Sequence, residues 1–218
     1  QNTRKKCLIF LMTPTKSVKL PKVQKKSFCI TTGSLSMKKM VILVSGGGTN
    51  LQRIIDCIGT GEIPNAEIAL VVADRECFGL QRAEKHGIKN VIIKRGKDFS
   101  EKLADVLPEN TDLIVLAGFL SILNKEFCER FPGKIINIHP ALLPKFGGKG
   151  MWGHHVHEAV LKSGEKESGA TVHFVTSGID EGKIILQKSF EISPNETVES
   201  LADKVHQVEY SIFPEAIN

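Results

Sequence analysis

No stretch of the 218 residues is apolar for long enough to cross a membrane, since a spanning helix needs about 20 consecutive apolar residues. Cysteine is sparse and poorly placed for cross-linking. Cys7, Cys29, Cys57, Cys77 and Cys128 are scattered, odd in number and form no CxxC pair. This argues against a disulfide framework and a zinc site and for reduced thiols in a cytosol-like compartment. The GK[ST] lysine of nucleotide hydrolysis, the GxSxG nucleophile elbow and the HExxH zinc helix are all missing. P-loop hydrolysis and serine or zinc hydrolase chemistry therefore lack their residues. Acidic residues are missing altogether from positions 1–36, where Arg4, Lys5, Lys6, Lys16, Lys19, Lys22, Lys25 and Lys26 lie.

That asymmetry changes the meaning of the net charge. The formal total is +5, but residues 37–218 alone carry 21 basic against 24 acidic groups. The positive charge sits on a leader, so it gives no reason to expect a nucleic-acid partner. Residues 1–36 have neither helical nor strand period and are expected to be disordered and outside the fold. They read as an appendage, because "MKKMVILVSGG" restarts the chain at Met37 directly before the first strand. A basic, acid-free segment is also what a transit signal looks like, which would move the protein from the cytoplasm to an organelle. The last residues, "FPEAIN", stop within a helical pattern, so the 37–218 domain is expected to be truncated there.

Short apolar runs then alternate with amphipathic stretches. "MVILVS" (40–45), "EIALVVA" (67–73), "NVIIK" (90–94), "DLIVLAG" (112–118) and "KIINI" (134–138) have the near-continuous apolarity of strands buried on both faces. Helices are expected over 49–59, 78–87, 98–107, 123–131 and 153–163. This spacing predicts an α/β fold, a Rossmann-like and mostly parallel sheet with helices on both faces. "ATVHFVT" (170–176) and "KIILQKSFEI" (183–192) alternate more and are joined by the turn "SGIDEG", which predicts an antiparallel C-terminal edge. "SPNE" reads as a capping box that opens the final helix, with Ser193 as N-cap and Glu196 at N3.

Two stretches carry chemistry. In "VILVSGGGTNLQ" a strand meets Gly46, Gly47 and Gly48 and then a helix start. Such a turn offers free backbone N–H groups at the positive end of a helix dipole, and glycines let an anion come close. Thr49 and Asn50 add polar side chains suited to a small terminal phosphate. The dinucleotide pattern GxGxxG fits only in part, with Leu51 in place of the third glycine, and Asp74 is where a ribose would be held. In "KIINIHPALLP", Asn137 and His139 are two apart on a strand that Pro140 ends, so both leave the same face at the ligand-binding end of the sheet. Neither makes a good nucleophile. Together they suit hydrogen bonding to a developing oxyanion, with the imidazole able to carry a proton. Asp180, in "SGIDEG", is the preferred carboxylate to hold that histidine. His154 and His157 have a ligand-like i, i+3 spacing but lack a companion carboxylate motif, and His173 is left without a role.

"SGGGTNLQ", "LAGFLSIL", "INIHPALLP" and "TVHFVTSGIDEGKIILQ" together resemble the phosphoribosylglycinamide formyltransferases over about residues 40–214. The resemblance implies transfer of the formyl group of 10-formyltetrahydrofolate to the amine of glycinamide ribonucleotide in purine synthesis, with no metal and no covalent enzyme intermediate. It implies Asn137, His139 and Asp180 as the catalytic residues. Gly47, Gly48, Thr49 and Asn50 would grip the ribose phosphate and Glu209 the ribose. Leu120, Ser121, Ile122 and Leu123, with Asp180, would line the folate site. Some relatives carry arginine where Ser121 stands. The loop "KFGGKGMWG" is longer than in some relatives and is expected to act as a lid, with Trp152 reporting its movement. Small-molecule partners and a monomer or homodimer are implied. The related methionyl-tRNA formyltransferase, formyltetrahydrofolate hydrolase, a nicotinamide dehydrogenase and a non-catalytic nucleotide-binding module are the alternatives.

Overall fold

The computed structural model describes residues 37–218, and the expectations for residues 1–36 fall outside the described residues. Five parallel strands lead: β1 (Lys38–Val44), β2 (Ala66–Ala73), β3 (Asn90–Ile92), β4 (Leu113–Leu116) and β5 (Ile135–His139). β6 (Glu167–Phe174) and β7 (Ile184–Glu191) pair antiparallel at the C-terminal edge, giving the sheet order β3-β2-β1-β4-β5-β6-β7. Six helices complete the unit: α1 (Thr49–Thr60), α2 (Phe78–Lys85), α3 (Phe99–Val106), α4 (Lys125–Arg130), α5 (His154–Ser163) and α6 (Val198–Ile217).

The continuous apolarity of β1 has the expected cause. Residues 40–44 are fully buried, and alternate side chains feed two separate cores. Met40, Ile42 and Val44 pack with Leu51 and Ile54 of α1, Leu80 of α2 and Val205 and Phe213 of α6. Val41 and Leu43 pack with Phe99 and Leu103 of α3 and Phe127 of α4. Helices thus cover both faces. Each buried Leu, Ile or Phe contributes about 1.5–3 kcal/mol relative to exposure.

One boundary differs from the sequence expectation. The final helix begins after Thr197, and Ser193 is not its cap. Pro194 instead starts a turn in which the Glu196 N–H donates to the Ser193 carbonyl at 3.1 Å. The capping box falls four residues later. The Thr197 hydroxyl accepts from the Ser200 N–H at 3.2 Å, and Ser200 Oγ accepts from the Thr197 N–H at 2.9 Å. β4 is also shorter than its apolar run, because Gly118 turns out of the strand at φ +69°.

The topology places the cleft. From β1 the chain steps outward to β2 and β3, then returns to the other flank of β1 with β4. The loop after β1 leads into α1 on one face, and the loop after β4 leads towards α4 on the other. Such a switch point leaves a crevice outside the carboxyl ends of the strands. Two hydrogen bonds stitch its floor: Ser45 N–H to the Gly118 carbonyl at 3.1 Å, and Leu120 N–H to Ser45 Oγ at 2.8 Å.

Candidate active site

The crevice is a cleft of about 810 Å³. Its wall includes the glycine loop with Asn50, the end of β5 with Asn137 and His139, and the turn that carries Asp180. Leu120, Ser121, Ile122 and Leu123 line it too, as do His173 and Glu209. The three segments singled out in the sequence therefore meet in one place.

The glycine loop leaves its backbone donors free. Gly48 takes the left-handed conformation, φ 67° and ψ 30°, and starts α1. The N–H groups of Gly47, Gly48, Thr49 and Asn50 have no acceptor among the described residues, as expected of the first N–H groups of a helix. Asn50 points inward and donates Nδ2–H to Glu209 Oε2 at 3.0 Å. Burial pushes the Glu209 carboxyl up to about 7, although that hydrogen bond pulls the other way.

At the end of β5, His139 is 3% exposed, and its Nε2 lies 2.8 Å from the Phe146 carbonyl. A carbonyl only accepts, so Nε2 carries the proton and Nδ1 is the basic nitrogen. Nδ1 faces Asp180 Oδ2 at 3.6 Å. Desolvation holds the imidazole below its ordinary pKa, and the charge of Asp180 opposes that only in part. Burial pushes the Asp180 carboxyl up, but the neighbouring His173 imidazole, the His139 charge and the Gly148 N–H at 2.9 Å outweigh it. The net shift is downward. Asp180 is thus an anion near neutral pH, set beside a neutral imidazole that gains a partner when it takes a proton. Asp180 itself sits at φ 58°, an αL conformation that Asp and Asn adopt more readily than other non-glycine residues.

Sequence reasoning left His173 without a role. The antiparallel register pairs it with Asn137. Its Nδ1 donates to the Phe174 carbonyl at 2.9 Å, which leaves Nε2 to accept from Asn137 Nδ2 at 3.1 Å. His173 Nε2 also lies 3.5 Å from Asp180 Oδ1, so one carboxylate faces both histidines. This arrangement fixes the Asn137 amide and leaves its second Nδ2 hydrogen available. It suits acyl transfer: an amide donor for a carbonyl oxygen, a buried base and a carboxylate behind it.

Residues 38–217 match the formyl transferase family. The chain belongs to this family. It is therefore a transferase, and formyl is the group it moves. It is 41% identical to the phosphoribosylglycinamide formyltransferase of Haemophilus influenzae, over 82% of this chain and 84% of that one. It is 37% identical to the chloroplastic phosphoribosylglycinamide formyltransferase of Arabidopsis thaliana, over 83% of this chain and 64% of that one. The fold matches the glycinamide ribonucleotide transformylase 1 of Symbiobacterium toebii with a TM-score of 0.77 and 38% identity, over 83% of this chain and 86% of that one.

Within this formyl transferase, two sequence expectations need correction. Asp74 is not available to a ribose. Its side chain is fully buried and accepts from Arg75 Nε at 2.9 Å, from Arg95 Nη2 at 2.6 Å and from Ser121 Oγ at 2.6 Å. The residue that a dinucleotide would need is thus spent on holding the 121 loop. His157, whose spacing from His154 lacks a companion carboxylate motif, is 4% exposed in the cleft wall, and its Nδ1 has no hydrogen-bond partner among the described residues. Desolvation, helped by His206, His154 and His139, holds it down to about 4. Of the 145–153 loop, Lys149, Met151 and Trp152 line the cleft, and Trp152 is half exposed with its ring edge-on to His155 at 4.9 Å. Among the described residues, no helix is long and apolar enough to cross a membrane.

Proposed function

We propose that the chain transfers the formyl group of 10-formyltetrahydrofolate to the amine of glycinamide ribonucleotide. The observation that carries this reading is the meeting of the Asn137–His139–Asp180 group with an anion-ready glycine loop in one cleft. The ribonucleotide is held by its phosphate on the N–H groups of Gly47, Gly48, Thr49 and Asn50. Its ribose lies against Glu209. The folate ring system lies along Leu120, Ser121, Ile122 and Leu123 and reaches the turn of Asp180. Leu120, Ile122, Trp152 and Ile179 are large apolar residues exposed on this same wall. A cluster of that kind fits a flat ring better than it fits water.

The amine nitrogen attacks the formyl carbon, and the carbonyl electrons move to oxygen. The free Nδ2–H of Asn137 stabilises that oxyanion. His139 Nδ1 takes the proton that the amine loses, and Asp180 stabilises the resulting imidazolium. Collapse reforms the carbonyl and breaks the bond to folate N10, which takes the proton held on His139 as tetrahydrofolate leaves and so returns the imidazole to its neutral form. One such oxyanion donor is worth about 3–4 kcal/mol.

The test is the folate difference spectrum at fixed 10-formyltetrahydrofolate. Turnover only in the presence of glycinamide ribonucleotide supports the reading. Turnover without it indicates a hydrolase, and a nicotinamide signal indicates a dehydrogenase.

A further inference from the structure

We infer that Arg82 of α2, a residue outside the cleft wall, is a positioning residue for the phosphate loop. It holds the Gly47–Gly48 peptide so that the loop's N–H groups stay free for the anion. The inference rests on the reading of the glycine loop as the phosphate grip.

Three consecutive carbonyls of the loop are each taken by a different donor. The Gly46 oxygen accepts from the Gly79 N–H at 3.0 Å, the Gly47 oxygen from Arg82 Nε at 2.8 Å and the Gly48 oxygen from the Gln52 N–H at 2.9 Å. In a trans peptide the C=O and N–H point in opposite directions. Drawing the Gly47 oxygen towards α2 therefore aims the Gly48 N–H away from α2. Without that anchor, a peptide between two glycines is free to turn over, because glycine occupies both halves of φ space at little cost. Turned over, it would present a carbonyl oxygen where a donor is needed.

The guanidinium is itself held. Arg82 Nη1 donates to Gln52 Oε1 at 3.3 Å, and the guanidinium carbon lies 5.0 Å from the centre of the Phe78 ring. Phe78 is 54% exposed, and this stack gives its surface position a purpose. The backbones are locked together as well. A Cβ on Gly48 would lie 2.6 Å from Gly79 Cα, so α2 sits directly against the loop. The planar fork of arginine serves Gly47 and Gln52 together, a geometry that lysine cannot reproduce.

The test uses the full chain and steady-state kinetics for both substrates. Arg82→Ala is expected to raise KM for the ribonucleotide about tenfold, the worth of one hydrogen bond. The folate KM and kcat should stay within about twofold. Arg82→Gln keeps an N–H donor for the Gly47 oxygen without the charge, and Arg82→Lys keeps the charge without the fork. Better recovery by glutamine than by lysine supports positioning. Recovery by lysine alone, or no KM change in Arg82→Ala, overturns it. Amide ¹⁵N shifts of Gly47 and Gly48, titrated with inorganic phosphate, read the same loop without turnover. Weaker phosphate binding in Arg82→Ala supports the role even if the wild type fails to use glycinamide ribonucleotide. Unchanged phosphate binding ends it.

Discussion

Asn50 and Glu209, 159 residues apart, hydrogen-bond at 3.0 Å and tie the start of α1 to the middle of α6 inside the cleft. The carboxyl is almost fully buried, and its pKa is pushed up to about 7 from an ordinary 4.5. A folded-state value above the unfolded one means that folding favours the protonated acid. Stability from this group is complete below about pH 4.5 and is lost as pH rises towards 7. Glu209→Gln mimics the protonated form. Its melting temperature should match that of the wild type near pH 4.5 and exceed it at pH 8, where the wild type has lost on the order of 3 kcal/mol of stability. An advantage confined to low pH would contradict the account.

Removal of either proposed oxyanion or proton-handling group should act on chemistry and leave binding largely intact. Asn137→Ala and His139→Ala are each expected to lower kcat by about a hundredfold or more, with KM for both substrates within a few fold. A large rise in KM at constant kcat would reassign these residues to ground-state binding.

His139 should titrate below its ordinary value of 6.5, because desolvation dominates its surroundings. The Asp180 charge is the larger of the two influences that oppose this, the other being the Phe146 carbonyl. Asp180→Asn tolerates the αL backbone and can still accept from Gly148, but it removes the charge. The imidazole pKa, followed by NMR, should therefore fall further in Asp180→Asn. A rise would mean that the carboxylate is not the group stabilising the imidazolium.

Gly182, between Asp180 and β7, has no room for a side chain: a Cβ there would lie 1.7 Å from the Phe174 carbonyl oxygen. Gly182→Ala must displace the turn that carries Asp180. It should cost on the order of 2–3 kcal/mol in chemical denaturation, together with a loss of kcat. Full activity at unchanged stability would show that the turn yields without moving the carboxylate.

Much of this architecture was legible in local sequence. The strand assignments followed from the continuous apolarity of runs such as 40–45 and 67–73, and the two cores flanking β1 show why. The error at Ser193 was also local. "SPNE" satisfies both a capping box and a proline turn, and only the packing of Leu201 and Val205 decides which residue starts the helix. His173 had a faint signal, since Thr171 and His173 alternate on β6 as Asn137 and His139 do on β5. The register that pairs them is a long-range property of the sheet. The burial of Asp74 beneath Arg75, Arg95 and Ser121 had no sequence signal at all.

The sequence by itself determined the elements, the N–H cradle after β1 and the placement of Asn137 and His139 on one face. Each of these depends on residues a few positions apart, where backbone geometry and side-chain period act directly. Only the tertiary structure decided which carboxylate faces His139, which histidine orients Asn137 and which arginine holds the glycine loop. Those choices depend on sheet order and on turns such as 177–182, whose positions are fixed by packing between segments far apart in the chain.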